Sequence, residues 1–288
     1  MSYSPLISVV TPSFNQASFL GEALASVQLQ NYKHCEHLII DGKSVDGTVA
    51  LLKDVADDAE SASVRWISEN DSGQSDALNK GFRLAKGEII GWLNSDDRYR
   101  AGCFEHVVQA FAENPEVDIL YGDYVVIDEA GRPLRVRREI EFSAFILLYH
   151  RVLYIPTTAT FFRRRIFEEN NWLEERLHYA MDLEFFIRLA ARGYRFKHIP
   201  KIIADFRVHN RSKSCSDPDK HRLEHQQVVF AAAPLLRRIK PPLLKSPVLS
   251  VLRSIAGVER YSEKLFKGYY WQQMRAADSN LSDRDVST

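Results

Sequence analysis

The sequence predicts an α/β protein with a mainly parallel central sheet flanked by helices, followed by a helical C-terminal extension. Two observations predict the sheet. Short apolar runs alternate with helical patterns over about the first hundred residues, and each of the four runs ends in a polar loop. Such alternation produces a parallel sheet covered on both faces, with ligands gathered at the carboxyl ends of its strands. Beyond about residue 217 the chain becomes helical and more basic, which predicts the extension.

The first half of the chain contains four predicted strands and three predicted helices. The strands are short buried runs at residues 6–11, 37–41, 64–68 and 88–93. The intervening helices cover residues 17–29, 47–56 and 74–86. Asp46 is the predicted N-cap of the second helix, and Gly87 is predicted to end the third.

The second half is predicted to be mixed. After residue 100 the pattern indicates a helix at 103–113 and then a strand pair, at 119–127 and 134–138, that flanks the turn DEAGR. A further helix is predicted at 179–192, followed by strand and loop. Its apolar face consists of Leu183, Phe186, Ile187 and Ala190.

Composition limits the functional classes. The 288 residues have a formal net charge of zero, so no global field indicates nucleic acid as a partner. The cysteines, Cys35, Cys103 and Cys215, lack a CxxC spacing, which is typical of unpaired thiols in a reducing compartment. The N terminus has no secretory pattern and no stretch approaches the length of a membrane span, so we expect a cytoplasmic protein.

The most informative segment is EIIGWLNSDDRY, in which an apolar strand ends in two adjacent carboxylates, Asp96 and Asp97. Hard divalent cations bind oxygen ligands and keep positions open for substrate phosphates, so this strand end is suited to a metal and a diphosphate. Neither GxxxxGK[ST] nor GxGxxG occurs in the chain, which favours metal as the group that holds the diphosphate. An ordinary strand cap is the alternative.

Polar residues follow the other strands too. Thr11, Ser13 and Asn15 offer hydroxyl and amide groups suited to a base and a ribose, although turn formation explains the same residues. Asp41 ends the second strand and can accept a proton from the edge of a nucleotide base. Asp71 is a carboxylate in the same kind of position, just after the third strand. The polar strand ends together predict a nucleotide site.

Four ordered motifs resemble glycosyltransferase family 2: VVTPSFNQASFLGEALASV, IIDGKSVDGT, SENDSGQSDALNKGFRLAKGEIIGWLNSDD and AMDLEFFIRL. The resemblance covers about residues 5 to 210. It implies the Rossmann-like GT-A fold, a nucleotide-sugar donor (first of all a UDP-sugar), a divalent metal (Mn²⁺ or Mg²⁺) and transfer with inversion. The NKG and LNSDD forms resemble bacterial enzymes of exopolysaccharide, capsule or lipopolysaccharide synthesis.

The resemblance and the polar strand ends together assign roles to individual residues. Asp96 is the expected metal carboxylate, with Asp97 and His209 as further ligands, although Asn94 stands where the family often has an aspartate. Asp182 aligns with the catalytic base, and Met181 replaces the acidic residue often found before it. The predicted donor-binding residues are Thr11, Pro12, Ser13, Asn15, Asp41, Asp71, Asn79, Asn94, Ser95, Arg207 and Arg211.

The segment DFRVHNRSKSC resembles the mobile loop that closes over the donor diphosphate in this family. Arg207, Arg211 and Lys213 suit phosphate there, with a solvated basic loop as the alternative. Farther on, His221 and His225 in HRLEH have the i, i+4 spacing of a helical zinc site. The chain lacks an obvious third ligand, so we expect no zinc.

These observations predict a metal-dependent inverting glycosyltransferase with a catalytic domain at residues 1–215 and a helical extension at 216–288. Within the domain, the donor half covers about 1–100 and the acceptor half about 101–215. The expected acceptor is a glycan or a lipid-linked molecule. A catalytically inactive nucleotide-sugar binding subunit of a polysaccharide assembly complex is the alternative, and metal-dependent hydrolysis of the donor would distinguish the two.

After Pro234, basic residues outnumber acidic ones, and apolar residues accompany them. We hypothesise that this segment lies on an anionic membrane surface at the inner face of the cell membrane. Packing on the catalytic domain, or a homodimer contact, is the alternative. The basic residues are Arg237, Arg238, Lys240, Lys245, Arg253, Arg260, Lys264 and Lys267.

Overall fold

The computed structural model describes residues 3–57, 63–150, 152–210, 212–213, 217–239 and 242–269. The strands are β1 (Ile7–Ser13), β2 (Cys35–Asp41), β3 (Val64–Ser68), β4 (Ile89–Trp92), β5 (Arg98–Tyr99), β6 (Ile119–Ile127), β7 (Pro133–Arg137), β8 (Thr160–Arg163) and β9 (Phe196–Arg207). They form one sheet in the order β3, β2, β1, β4, β8, β6, β9, β5, and β7 pairs with β6.

The helices within and after the sheet agree with the predicted pattern. They are α1 (Ala17–Gln28), α2 (Thr48–Asp57), α3 (Gln74–Leu84), α4 (Cys103–Glu113), α5 (Ala144–Tyr149), α6 (Arg165–Glu168), α7 (Met181–Ala191), α8 (Pro218–Ala232), α9 (Pro234–Arg238) and α10 (Pro242–Phe266). A short 3-10 helix at Thr157–Ala159 precedes β8. The predicted α/β fold is confirmed.

The topology fixes where a ligand can bind. β1 pairs in parallel with β2 on one side and with β4 on the other, so the chain order reverses beside β1. Ligands of open parallel sheets bind at such a reversal, outside the carboxyl ends of the strands. Beyond β4 the sheet is mixed as predicted, because β8 is antiparallel to both β4 and β6.

Asp46 and Gly87, the two residues predicted to mark helix boundaries, have different roles in the structure. Asp46 accepts hydrogen bonds from the Thr48 amide (3.1 Å) and the Ala17 amide (3.0 Å), so it satisfies the first turns of both α2 and α1. Gly87 does not end α3, which stops at Leu84. Gly87 is needed for close approach instead, since a Cβ there would lie 2.5 Å from the Ser8 amide nitrogen.

The helices of the extension pack on the catalytic core. Val229, Leu236 and Leu249 belong to the same buried cluster as Phe185 and Phe186 of α7. The inner face of the extension therefore packs on the domain that contains α7. The domain boundary near residue 215 stays a prediction.

Some of the basic residues counted toward a membrane surface are used in this packing. Arg260 and Lys264 pair with the buried Glu139 at 2.6 and 3.2 Å, and Lys267 lies 3.8 Å from Glu141. The charge argument for membrane contact is weakened, because these three residues hold the extension in place. In the described ranges no helix is long and apolar enough to cross a membrane.

Candidate active site

A cleft of about 670 Å³ lies at the carboxyl ends of β1 and β4. Its walls come from the first loop, the starts of α3 and α7, the end of β4, the segment after β9, and α8. Among the lining residues are Pro12, Ser13, Asp71, Gln74, Asn94, Ser95, Asp96, Asp182, Lys213 and His221. The fold therefore gathers predicted site residues from distant segments at the predicted edge of the sheet.

Asn94 is a hydrogen-bond junction at the end of β4. Its Oδ1 accepts from Trp92 Nε1 (2.9 Å) and Gln74 Nε2 (3.0 Å), and its Nδ2 donates to Asp97 Oδ2 (3.0 Å). An indole nitrogen only donates, so Oδ1 must face Trp92 and Nδ2 must face Asp97. An amide is required here because the position needs an acceptor on one side and a donor on the other.

Asp97 faces the interior and does not line the cleft. Its carboxylate accepts from Thr158 Oγ1 (2.7 Å), the Arg207 amide (2.9 Å) and Asn94 Nδ2, and the residue is 1% exposed. Burial, followed by the charge of Asp96, raises the pKa of Asp97 to about 8. The oxygens of Asp97 tie the strand ends together in this structure, and its assignment as a metal ligand stays a prediction.

Asp96 and His209 remain together as predicted. Asp96 lines the cleft, and its Oδ2 lies 3.1 Å from His209 Nε2. Among the described residues, no group of three or more His, Cys, Asp or Glu side chains is arranged to hold a metal. The pair nevertheless fits a divalent ion, because Mg²⁺-type sites take one or two protein ligands and complete their shell with substrate phosphates and water.

Arg207 supports the strand end through its guanidinium group. Its three guanidinium nitrogens donate to the carbonyl oxygens of Asp96 (2.8 Å) and Glu129 (2.8 Å) and to the carboxylate of Glu22 (2.6 Å). The residue is 1% exposed but is among those that line the cleft, so its assignment to donor binding stays a prediction. Arg211 lies outside the described residues. Lys213 lines the cleft, where its Nζ donates to Gln74 Oε1 (3.1 Å).

Only part of the predicted nucleotide set around β1 and β2 reaches the cleft. Thr11 is buried against His37 Nε2 (2.8 Å), and Asp41 is buried with its oxygens bonded to Ser44 and Ser68. Asn15 joins two loops by accepting from the Val45 amide (2.9 Å). The side chains of these three residues bond neighbouring strands and loops and do not line the cleft, so their assignment to donor binding stays a prediction.

Pro12 and Ser13 line the cleft as predicted. Ser13 Oγ is buried and has no hydrogen-bond partner among the described residues. Buried hydroxyl groups are normally bonded, so this oxygen fits a ligand group as its missing partner.

Asp71 and Asn79, both near α3, differ in their position: Asp71 lines the cleft and Asn79 does not. Asp71 lines the cleft and accepts from the Gly73 amide (2.9 Å) at the turn into α3. Asn79 lies deeper, where its amide donates to the Leu173 carbonyl oxygen (3.0 Å) and accepts from the Leu173 amide (2.9 Å). Asn79 is 1% exposed and anchors the chain before α7, and its assignment to donor binding stays a prediction.

Asp182 lies in the first turn of α7, half-buried in the cleft wall. Its Oδ1 accepts from the Leu183 amide (2.7 Å). Burial raises the pKa of Asp182 above its ordinary value, and the nearby charge of Lys213 acts in the opposite direction. Glu184 is held instead by Arg188 (2.7 Å). Of the two carboxylates in the first turn of α7, only that of Asp182 lines the cleft.

Several residues that line the cleft were not predicted for the site, among them Gln74, Tyr179 and, on α8, His221. His221 lines the cleft, with its ring 6.2 Å from that of Tyr179. Glu224 accepts hydrogen bonds from the backbone just before α7. The motif HRLEH contains both residues, but its histidine spacing drew attention to zinc. His225 is buried, which lowers its pKa to about 4.

The comparisons with known sequences agree with one another. The family model described as Glycosyl transferase family 2 matches residues 8–170. An uncharacterised glycosyltransferase of Mycobacterium tuberculosis is 32% identical over 192 residues, or 66% of this chain and 71% of the relative. A putative teichuronic acid biosynthesis glycosyltransferase of Bacillus subtilis, TuaG, is 31% identical over 133 residues, or 46% of this chain and 52% of the relative.

Solved structures show the fold. Residues 1–349 of Staphylococcus aureus TarS, in complex with UDP-GlcNAc, match with a TM-score of 0.65 and 16% identity, over 85% of this chain and 71% of that one. The mannosyltransferase PcManGT of Pyrobaculum calidifontis, with GDP-Man and Mn²⁺, matches with a TM-score of 0.63 and 21% identity, over 88% and 70%.

We predict that Asn94→Asp destabilises the protein. The change removes the donor to the buried Asp97 and places a second carboxylate beside it, which we expect to cost about 1–3 kcal/mol of unfolding free energy. Urea unfolding at neutral pH measures this loss. The matched control is the exchange Asn94→Asp with Asp97→Asn, which restores one donor and one acceptor and should recover most of the stability. Wild-type stability of the single variant would contradict the assigned bonds.

Proposed function

Since the chain belongs to glycosyltransferase family 2, we propose that this glycosyltransferase is metal-dependent and inverting, and that it builds a bacterial cell-surface polysaccharide. Its donor is a nucleoside diphosphate sugar, with UDP-sugars first, and its acceptor is a hydroxyl of a glycan or lipid-linked molecule. One observation carries the proposal: Asp96, at the end of β4, and Asp182, at the start of α7, line the same cleft. The resemblance of TuaG, named for teichuronic acid biosynthesis, supports the polysaccharide role.

The two carboxylates have separate tasks in this mechanism. Inversion in a single displacement requires the acceptor hydroxyl to attack the anomeric carbon from the face opposite the departing diphosphate. Asp182 takes the proton of that hydroxyl as the new bond forms. Its raised pKa makes it a stronger base than a fully solvated carboxylate.

Asp96 and His209 would hold a divalent metal on the diphosphate side. When bound, such an ion neutralises the charge that develops on the departing nucleoside diphosphate. The protein contributes by keeping both side chains in place: the carbonyl oxygen of Asp96 is fixed by Arg207, and the His209 amide donates to Ser212 Oγ (3.1 Å). Lys213, beside the same cleft, adds positive charge for a phosphate.

Asn94 and Met181 depart from the family pattern, and these departures are the reason to consider an inactive binding subunit. The contacts of the two residues argue against it. Asn94 performs a bonding task that an aspartate cannot perform. Met181 packs at the base of the cleft, where its sulfur accepts from Ser75 Oγ (2.8 Å). The two substitutions fit this chain's own packing, and the groups proposed for catalysis are retained.

The metal role predicts a specific loss in Asp96→Ala. A nucleotide at about 100 times its Kd stabilises the folded state by about 2.7 kcal/mol, so thermal shifts with UDP, GDP and dTDP sugars report binding. We expect Mn²⁺ to increase the shift for the wild type and to have no effect on the variant. Asp71→Asn is the matched control, since it should weaken the nucleotide shift equally with and without Mn²⁺. An undiminished metal effect in Asp96→Ala would remove Asp96 from the metal site.

The base role predicts that Asp182→Asn lowers turnover by about 10²- to 10⁴-fold with little change in donor affinity, because the amide is nearly isosteric but accepts no proton. Glu184→Gln is the control and should retain most activity. The apparent pKa of the acid limb in the wild-type profile of rate against pH should lie above the ordinary aspartate pKa of about 3.9. Initial rates against pH, with donor binding measured in parallel, test the assignment. A larger loss in Glu184→Gln would show that the other carboxylate is the base.

We also propose a cytoplasmic location at the inner face of the cell membrane. Cys35 and Cys103 are free thiols in the structure, and unpaired thiols are compatible with a reducing compartment. The outer face of α10 is an apolar stripe in which residues recur every seven positions: Leu244, Val251, Val258 and Leu265 are 53%, 60%, 70% and 55% exposed. Such a face suits the boundary between headgroups and acyl chains.

Vesicle co-sedimentation tests this location. We expect the wild type to pellet with anionic vesicles and Val251→Asp with Val258→Asp to stay in the supernatant. Gln227→Asp with Ser246→Asp adds the same charge away from the stripe and should still pellet. If the wild type does not pellet but forms a dimer that the stripe variant loses, the stripe is a dimer contact and the membrane proposal fails.

A further inference from the structure

The helix α8 belongs to the extension, yet it contacts the segment from which Asp182 emerges. Its Val228 and Val229 are buried in the same cluster as Leu183 and Phe186 of α7. One turn before them, Glu224 points toward the backbone that leads into α7. The contact between the extension and the catalytic helix is therefore polar as well as apolar.

Glu224 receives hydrogen bonds from three consecutive backbone amides. The His178 amide donates to Oε1 (2.9 Å), and the amides of Tyr179 and Ala180 donate to Oε2, the latter at 2.6 Å. Bonds from amides to an ionised carboxylate are among the stronger hydrogen bonds of proteins. One side chain thus fixes the path of the three residues that precede α7.

This carboxylate supplies part of the capping of α7. The N-cap residue, Ala180, has no side chain able to accept from the first turn. The first amides of a helix need partners from outside it, and negative charge near that end is favourable. Glu224 meets part of this need from a helix more than forty positions away in the sequence.

Asp182 follows two residues after the amide of Ala180, in the first turn of α7. Its direction into the cleft depends on where that turn begins and how it is oriented. We propose that Glu224 is a positioning residue for the catalytic base, so that the C-terminal extension supplies a working part of the active site. This inference rests on the proposed role of Asp182.

The test compares Glu224→Ala and Glu224→Gln with Asp219→Asn. Asp219 lies on the same helix but is exposed and pairs with Arg222, so its variant is the matched control. Hydrogen exchange by mass spectrometry reports on the amides of residues 178–184. Thermal shift with nucleotide reports donor binding, and initial rates report kcat and KM.

We expect Glu224→Ala to lose protection at residues 178–184 and about 10- to 100-fold in kcat, because small displacements of a catalytic group are costly. Donor affinity should stay within about 2-fold of the wild type, since the donor contacts lie on other elements. Glu224→Gln keeps one carbonyl oxygen to accept amides, so it should fall between the wild type and Glu224→Ala. Asp219→Asn should match the wild type in every measurement.

Two results would overturn the proposal. Unchanged exchange and unchanged kcat in Glu224→Ala would show that the contact does not position the base. If Glu224→Ala loses exchange protection throughout the protein and also loses donor binding, Glu224 has a general structural role. If the wild type transfers no sugar, the proposed function fails separately, and exchange at residues 178–184 in Glu224→Ala then decides whether Glu224 orders this turn.

Discussion

One buried carboxylate holds the catalytic edge of this protein together. Asp97 accepts from Asn94 at the end of β4, from Thr158 in the 3-10 helix before β8, and from the Arg207 amide at the end of β9. Leaving any of these buried donors without its acceptor costs free energy, so the three segments are held in one arrangement. Asp96, the neighbouring residue, is thereby presented to the cleft from a rigid base.

The same constraint explains why the adjacent aspartates behave differently. Asp96 is partly exposed and lies near His209, whereas Asp97 is enclosed and its pKa rises to about 8. Two equal carboxylates at a strand end would repel each other on the same face. In this chain one carboxylate turns inward and bonds the framework, while the other lines the cleft.

Much of the fold and part of the site could be predicted from local pattern. Strand ends were predicted at residues 11, 41, 68 and 93 because apolar runs stop abruptly there, and the observed ends at 13, 41, 68 and 92 lie close to them at one edge of the sheet. Which polar side chain turns inward was not predictable. Arg207 and Asn79 have suitable chemistry for a donor, but their partners, Glu22 and Leu173, lie far along the chain. Glu224 was missed for the same reason, since its role appears only when α8 reaches α7.

The capping of α7 by Glu224 has a consequence for how this enzyme can be recombined with its relatives. The family match ends at residue 170, before both Asp182 and Glu224. A chimera that joins this chain to a relative between α7 and α8 would separate Asp182 and the three amides before it from Glu224. Exchanges that move residues 171–232 as one block keep these contacts within one parent sequence.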